Sequence, residues 1–261
     1  MTPSQTADLE SRCDLLRSLH SPGAPLLLPN AWDVATARAV ATAGFPVVAT
    51  TSWGVAGALG YEDHEAAPAD EMFAAAARIA RSVDVPVTVD AEAGYGMEPA
   101  QVVAALRSAG AAGCNLEDTD HATDSLRDPD RHAEWLGAVR QAASADGYRL
   151  VINARVDVFL GPYLAGADPA TQMELVPEAV RRANAYLEAG ADCVYPIVLS
   201  ETEALRTFMS EVQGLVNVIR GAQTPSLAEL GALGVARVSW GPYLYWEAMA
   251  RFEEQLASVQ D

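Results

Sequence analysis

Positive charge is scarce in this chain: 17 basic residues stand against 35 acidic ones, a formal net charge of -18. Such a balance offers nothing to neutralise a phosphate backbone, so a nucleic-acid partner is excluded, and an anionic membrane surface is disfavoured. Cysteine is scarce too. Cys13, Cys114 and Cys193 are odd in number, far apart and without a CxxC pair, which excludes a disulfide framework and a thiolate metal site. Two of them sit in apolar stretches, AAGCNLE and ADCVYP, where a small buried hydrophobe is expected. The first residues, MTPSQTADLESRCDLL, lack a basic segment followed by an apolar one, so no secretory signal is read. No apolar run approaches the ~20 residues needed to cross a bilayer. The expectation is a soluble, cytoplasmic protein.

What the chain has is alternation. Its 261 residues are 50% hydrophobic, enough for one large core. Short aliphatic runs recur at 25–29, 46–50, 86–90, 113–117, 149–154, 192–196, 214–218 and 236–239, eight expected strands. Ala-rich stretches of helical period lie between them, at about 33–43, 68–82, 98–109, 129–145, 171–189, 201–211 and 225–233, with a last one at 243–258 and an extra N-terminal helix over 5–19. Continuous apolar strands suit a parallel sheet buried on both faces. The phrases ATAGFPVVA, RSAGAAGCN, LEAGADCVY and GALGVARVS each place glycine after a helix, where the left-handed C-cap needs it. Eight strands alternating with eight helices predict a (β/α)8 TIM barrel. An open doubly wound sheet is the second choice, but no GxGxxG follows the first strand. No linker or charge block divides the chain, so residues 1–261 are expected to form one domain with an N-terminal helix.

Active sites of such barrels gather where the strands end. Strand one runs into Asn30-Ala31-Trp32-Asp33 and strand two into Thr51-Ser52-Trp53-Gly54. Strand three ends in Asp90-Ala91-Glu92-Ala93-Gly94-Tyr95-Gly96, strand four in Glu117-Asp118, strand five in Asn153-Ala154-Arg155-Val156-Asp157. Asp33 and Asp157 read first as a helix cap or a surface group. Asp90 and Glu92 differ, because period-2 geometry puts both on one side of the chain, where like charges resist ionisation unless a cation intervenes. With Glu117 on the next strand they make an oxygen-rich cluster suited to Mg2+ or Mn2+, a hydrogen-bonded structural cluster being the alternative. Arg155 is equally a buried structural ion pair or a fork for a substrate carboxylate.

At these residues the chain resembles the isocitrate lyase/phosphoenolpyruvate mutase superfamily. The matching phrases are PNAWDVATARAVATAGFPVVATTSWG, LGYED, PVTVDAEAGYG, GAAGCNLED, INARVD and RANAYLEAGAD, spread from about residue 25 to 245. The resemblance implies a (β/α)8 barrel, commonly a tetramer that exchanges its eighth helix, acting on bonds next to an enolpyruvate with Mg2+. It implies Asp90 as principal metal ligand, with Glu92, Glu117 and Asp63 holding the metal directly or through water. Thr51, Ser52 and Trp53 would cradle the carboxylate or oxyanion end, Arg155 would meet a carboxylate or the enolate oxygen, and Asn217 would face the pocket. Gly94 and Tyr95, of the same VDAEAGYG rim, are expected to touch the substrate, Tyr95 as a donor to an oxyanion with packing as its alternative role.

The departures matter. Position 92 is Glu where many members have Asp. The Lys-Cys-Gly-His loop of the lyases is absent; the stretch reads Asp118-Thr119-Asp120-His121-Ala122-Thr123-Asp124-Ser125-Leu126-Arg127-Asp128. The lyases' glutamate after strand six is missing, and so is the loop of the mutase and of phosphonopyruvate hydrolase. His121 is a candidate proton carrier in this loop and His64 a second, while His20 and His132 read as surface residues. The reaction expected is C–C cleavage next to an enolpyruvate, on an oxaloacetate-like 2-oxo acid or a 2-hydroxy acid. The alternatives are P–C chemistry on a phosphonopyruvate-like substrate and a non-catalytic 2-oxo-acid-binding paralogue. A homo-oligomer, dimer or tetramer, is expected; the last helix carries Tyr243, Trp246, Met249, Phe252 and Leu256, able to lie on its own barrel or a neighbour's.

Overall fold

A computed structural model describes residues 3–259. The chain opens with α1 (Pro3–Ser18), then β1 (Leu26–Leu28), β2 (Asn30–Ala31), α2 (Val34–Thr42), β3 (Val48–Thr50), α3 (Ser52–Leu59), α4 (Ala69–Ala80), β4 (Val87–Asp90) and α5 (Pro99–Ala109). It continues through β5 (Gly113–Glu117), the small hairpin β6 (Thr119–Asp120) and β7 (Ser125–Leu126), α6 (Pro129–Ala145), β8 (Val151–Val156), α7 (Leu160–Leu164) and α8 (Gln172–Glu188). Last come β9 (Cys193–Pro196), α9 (Thr202–Glu211), β10 (Leu215–Ile219), α10 (Leu227–Ala232), β11 (Arg237–Ser239) and α11 (Tyr243–Val259).

Nine strands form one parallel sheet in the order β1-β11-β10-β9-β8-β5-β4-β3-β2. Its two ends are halves of one strand. β1 pairs with β11 and β2 with β3, and only Pro29 separates them. Proline has no N–H to give a ladder, so the single first strand expected from sequence is split there and the sheet wraps round on itself as a TIM-type barrel. Asn30 reinforces the seam: its Nδ2 donates to the Thr50 carbonyl at 2.7 Å, and its Oδ1 accepts the N–H groups of Trp240 and Gly241 at 2.8 Å each.

Every residue of β3, β8 and β9 is buried, as a sheet covered on both faces requires. α1 buries Leu9, Cys13 and Leu16, spaced for one helical face, and Leu16 packs against Gly113 at the start of β5. Arg12 donates to the carbonyls of Val83 and Val85, which fixes α1 across the amino ends of the strands and leaves the carboxyl ends open.

Two histidines correct the sequence reading. His132 is 1% exposed and His20 9% exposed. His132 stacks on Trp135, one turn along α6, and meets the edge of the Tyr186 ring at 5.0 Å, a pairing that spans two helices and leaves no local trace. α3 and α7 were also not expected; both are short and interrupted by glycine or proline. α11 buries none of its residues, and Phe252 and Leu256 are about half exposed.

Candidate active site

The carboxyl ends of the strands enclose a cavity lined by Thr51, Ser52, Trp53, Asp63, His64, Asp90, Asn115 and Arg155, among others. Asp90 closes β4. Its N–H donates to Thr50 Oγ1 at 2.8 Å, and its Oδ2 accepts the Ser52 N–H at 3.1 Å. Ser52 is the first residue of α3, whose capping residue Thr51 makes no side-chain cap. The positive end of that helix therefore faces the cavity, its Ser52 N–H given to Asp90.

Ser52 also hydrogen-bonds Asp63 through its side chain, so one serine touches both acids. Burial and the nearby Asp90 charge push the Asp63 carboxyl up, and its buried Oδ1 has no hydrogen-bond partner among the described residues. A buried carboxylate oxygen in that state costs free energy unless something positive or protic meets it.

Glu92 and Glu117 stand behind this pair and are not part of the cavity wall. Glu92 Oε2 accepts the Glu65 N–H at 2.6 Å and its Oε1 accepts the Tyr95 hydroxyl at 2.5 Å. Burial, then the Asp63 charge, pushes Glu92 up to about 8. Glu117 pairs with His121 Nε2 at 2.5 Å through Oε1 and with Arg155 Nη2 through Oε2. Burial raises its carboxyl well above the usual range, Arg155 opposing.

Arg155 gives Nε and Nη2 to the two oxygens of Asp157 at 2.7 and 2.8 Å. Burial works against the Asp157 charge, but Arg155 and the Thr119 hydroxyl outweigh it and hold the carboxyl below its ordinary value. Arg155 is thus a buried ion-pair partner that also reaches the cavity wall. Asp118 turns away, bonding Arg182 and Tyr186, and burial pushes it up to about 6.

The remaining candidates separate. Tyr95 reaches the site only through Glu92, its ring packing on Phe73. Gly94 is a packing position: its φ is +88°, and a Cβ there would meet the Trp135 ring at 2.9 Å. Asn217 is fully buried beneath the cavity and donates to Ser239, which lines it. Asp33 caps α2 in a reciprocal box with Thr36. His121 lies on the hairpin that replaces the lyase loop, its ring 5.3 Å from that of His64. Asn115 was missed. Its Oδ1 accepts from Asn153 at 2.8 Å and from Arg237 at 3.2 Å, and its amide approaches Asp90 at 3.5 Å. The signal was available, since Asn115 lies two residues before Glu117 on one strand face.

Among the described residues, no three His, Cys, Asp or Glu side chains converge closely enough to ligate a metal by themselves. Mg2+ does not require that; it takes one or two carboxylates and keeps several waters. The Asp63 oxygen beside Asp90, with no hydrogen-bond partner among the described residues, fits such a hydrated ion.

The sequence pattern of the phosphoenolpyruvate phosphomutase family matches residues 16–260. The chain belongs to the phosphoenolpyruvate mutase/isocitrate lyase superfamily. It is 30% identical over 243 residues to a probable 2-methylisocitrate lyase of Corynebacterium glutamicum, covering 90% of this chain and 77% of that one. It is 31% identical over 229 residues to the 2,3-dimethylmalate lyase of Eubacterium barkeri, covering 84% and 76%. A crystal structure of a putative phosphonomutase from Burkholderia cenocepacia superposes with a TM-score of 0.88 at 43% identity, covering 95% of this chain and 99% of that one. The superfamily barrel, with lyases among the relatives, is therefore the setting for the site.

Proposed function

We propose that the protein is a Mg2+-dependent carbon–carbon lyase or decarboxylase acting on a small 2-oxo or 2-hydroxy carboxylic acid. The observation that carries this reading is the Asp63 oxygen that has no hydrogen-bond partner among the described residues, beside Asp90 and sharing one cavity with the N-terminus of α3 and Arg155.

Asp90 and Asp63 would hold the ion, with Glu92 and Glu117 hydrogen-bonding its waters; Mn2+ suits the same oxygens. When bound, the ion supplies positive charge beside the keto oxygen on which negative charge develops. The chain does the rest. The start of α3, from Thr51 to Trp53, receives the substrate carboxylate, where the helix dipole favours an anion. Arg155 has Nε and Nη2 committed to Asp157 and Glu117, which fixes the plane of its guanidinium. Nη1 is left to donate to the developing oxyanion. Removing one such preorganised donor typically costs ~3 kcal/mol of transition-state stabilisation. Tyr95 and the Glu65 N–H keep Glu92 oriented, and His121 does the same for Glu117. Loss of CO2 needs no protein nucleophile. Cleavage of a 2-hydroxy acid needs the hydroxyl proton removed, and His64, whose imidazole lines the cavity, is the candidate to take it.

Phosphoryl chemistry is less favoured. All 17 basic residues are arginines, and the one on the cavity wall is already held by two carboxylates. The exposed apolar face of α11 supports self-association through that helix.

Pyruvate release is the test, from oxaloacetate, 2-methylisocitrate and 2,3-dimethylmalate, with phosphonopyruvate as the P–C control. Each is assayed with Mg2+ and with EDTA, on the native protein and on Asp90→Ala. Metal-dependent release lost in Asp90→Ala is expected. Undiminished turnover of that variant in EDTA would refute the carboxylate site, and tight oxalate binding with no turnover would favour the binding-protein reading.

A further inference from the structure

We propose that Arg237 is a positioning residue for the cavity, a buried donor that holds the Asn115 amide with its N–H groups towards Asp90 and the bound acid. This rests on the metal and oxo-acid reading of the same cavity and deepens it.

Arg237 is 1% exposed and belongs to β11, two residues before Ser239, which lines the cavity. Period-2 geometry puts the two side chains on one face of the strand, so the guanidinium lies one layer beneath the cavity floor. Its Nη2 donates to Asn115 Oδ1 at 3.2 Å, while its Nε and Nη1 are buried without hydrogen-bond partners among the described residues. Burial pulls its pKa below the usual arginine value. For packing alone this is a poor choice, because a methionine would fill similar space with no charge to desolvate.

The amide gives the arginine a purpose. Asn115 stands beside Asp90 on one side and Asn153 on the other, in register across β4, β5 and β8. Asn153 Nδ2 donates to Asn115 Oδ1 at 2.8 Å, and Asn115 Nδ2 reaches Asp90 Oδ1 at 3.5 Å. A second setting exists for this pair. Asn153 Oδ1 has no partner among the described residues, so flipping both amides would keep one bond between them. It would also aim the Asn115 oxygen at the Asp90 carboxylate. A guanidinium donates and never accepts, so Arg237 is compatible with the first setting alone. Asn115 lines the cavity, and its remaining N–H is then directed to an oxygen of the bound acid.

Titration calorimetry tests this, with Mg2+ and then with oxalate in saturating Mg2+. The proteins are wild type, Arg237→Met, Arg237→Lys, Asn115→Ala and the double variant Arg237→Met/Asn115→Ala, each also melted without metal. Arg237→Met is expected to weaken oxalate binding about tenfold, the worth of one misdirected hydrogen bond. Its metal-free melting temperature is expected to be no lower than that of wild type. Arg237→Lys, still a donor and a cation, is expected to recover most of the affinity. On the Asn115→Ala background the methionine is expected to change nothing, because the amide through which the arginine acts is gone. Unchanged oxalate affinity in Arg237→Met, or a loss of equal size with and without Asn115, would overturn the inference while leaving the cavity reading in place. If neither Arg237 variant folds, the guanidinium is structural and the inference is again overturned. A wild-type protein that binds neither Mg2+ nor oxalate would sink the cavity reading and the inference with it.

Discussion

His132 is a titration built into the core, and its consequence is measurable. The ring is 1% exposed, both nitrogens lack hydrogen-bond partners among the described residues, and burial, aided by the Arg127 charge, pushes the imidazole down from 6.5 to about 3. The folded state therefore keeps the ring neutral where the unfolded chain protonates it. Because the folded value is the lower one, its full stability is present above pH 6.5 and is lost progressively as pH falls from 6.5 towards 3. At pH 5 the unfolded chain gains about 2 kcal/mol from protonation that the folded ring cannot share, at about 1.36 kcal/mol per pH unit. Unfolding 261 residues carries an entropy of about 0.55 kcal/mol/K, so 2 kcal/mol is about 4 °C in Tm. Other groups shift with pH as well. Glu92, raised to about 8, and Asp118, raised to about 6, stabilise the folded state as pH falls. A single profile would mix these signs, so the informative quantity is a difference. His132→Phe keeps the stack on Trp135 and removes the titration. Melting metal-free protein at pH 7.5 and 5.0, the variant is expected to gain about 4 °C on wild type between the two conditions. An unchanged difference would refute a neutral buried ring.

Four further outcomes are expected. Saturating Mg2+ at about 100 times Kd stabilises the folded state by about 2.7 kcal/mol, so Tm rises about 5 °C in wild type and not in Asp90→Ala, read by thermal melts. Tyr95→Phe removes the hydroxyl donor on Glu92 and weakens Mg2+ binding by roughly 10- to 100-fold with the melting temperature of the metal-free protein nearly unchanged, read by titration calorimetry. Arg155→Lys breaks a fork shared by Asp157 and Glu117 and lowers kcat by roughly 100- to 1,000-fold, and steady-state kinetics with folding checked by circular dichroism decides it. Gly94→Ala forces a Cβ into the Trp135 ring at a φ of +88°, so it costs about 1–3 kcal/mol of stability while KM stays as it was.

How much of this was legible in the chain divides by range. The strands were readable because both-face burial writes itself as uninterrupted aliphatic runs, and the helix ends because glycine marks the left-handed turn. The order of the rim followed, since Asp90, Glu117 and Arg155 close successive strands. Hydrogen bonding that crosses between loops was not readable. Nothing local shows that Glu65 gives its N–H to Glu92 while its carboxylate takes the Tyr95 N–H, or that Arg155 is shared between Glu117 and Asp157. Period-2 spacing put Asp90, Glu92 and Glu117 in one cluster, and only the resemblance added Asp63 and ranked Asp90 first, whereas the fold sets Asp90 with Asp63 at the cavity and the two glutamates behind them. His132 failed for a related reason, its neighbour Tyr186 being 54 residues away on another helix.

The backbone itself marks the site. Among the described residues, six non-glycine residues have positive φ: His64, Glu65, Glu92, Tyr95, Asp124 and Val198. Such conformations cost of order 1–3 kcal/mol each and persist only where surrounding structure over-determines them. The first four belong to two loops tied together by the Glu65 bonds to Glu92 and Tyr95, and those loops carry Asp63 and extend from Asp90. Val198 lines the cavity, and Asp124 turns the hairpin that stands in place of the lyase loop. Strain, an unsatisfied carboxylate oxygen and mutually repelling acids thus fall within one rim, while the amino end of the barrel is closed by ordinary packing of α1. A structural polar cluster would be expected to relax these features one by one, because each lowers stability with nothing in return. Their coexistence argues that a charged ligand recovers the cost on binding, which is the physical content of the metal and oxo-acid reading.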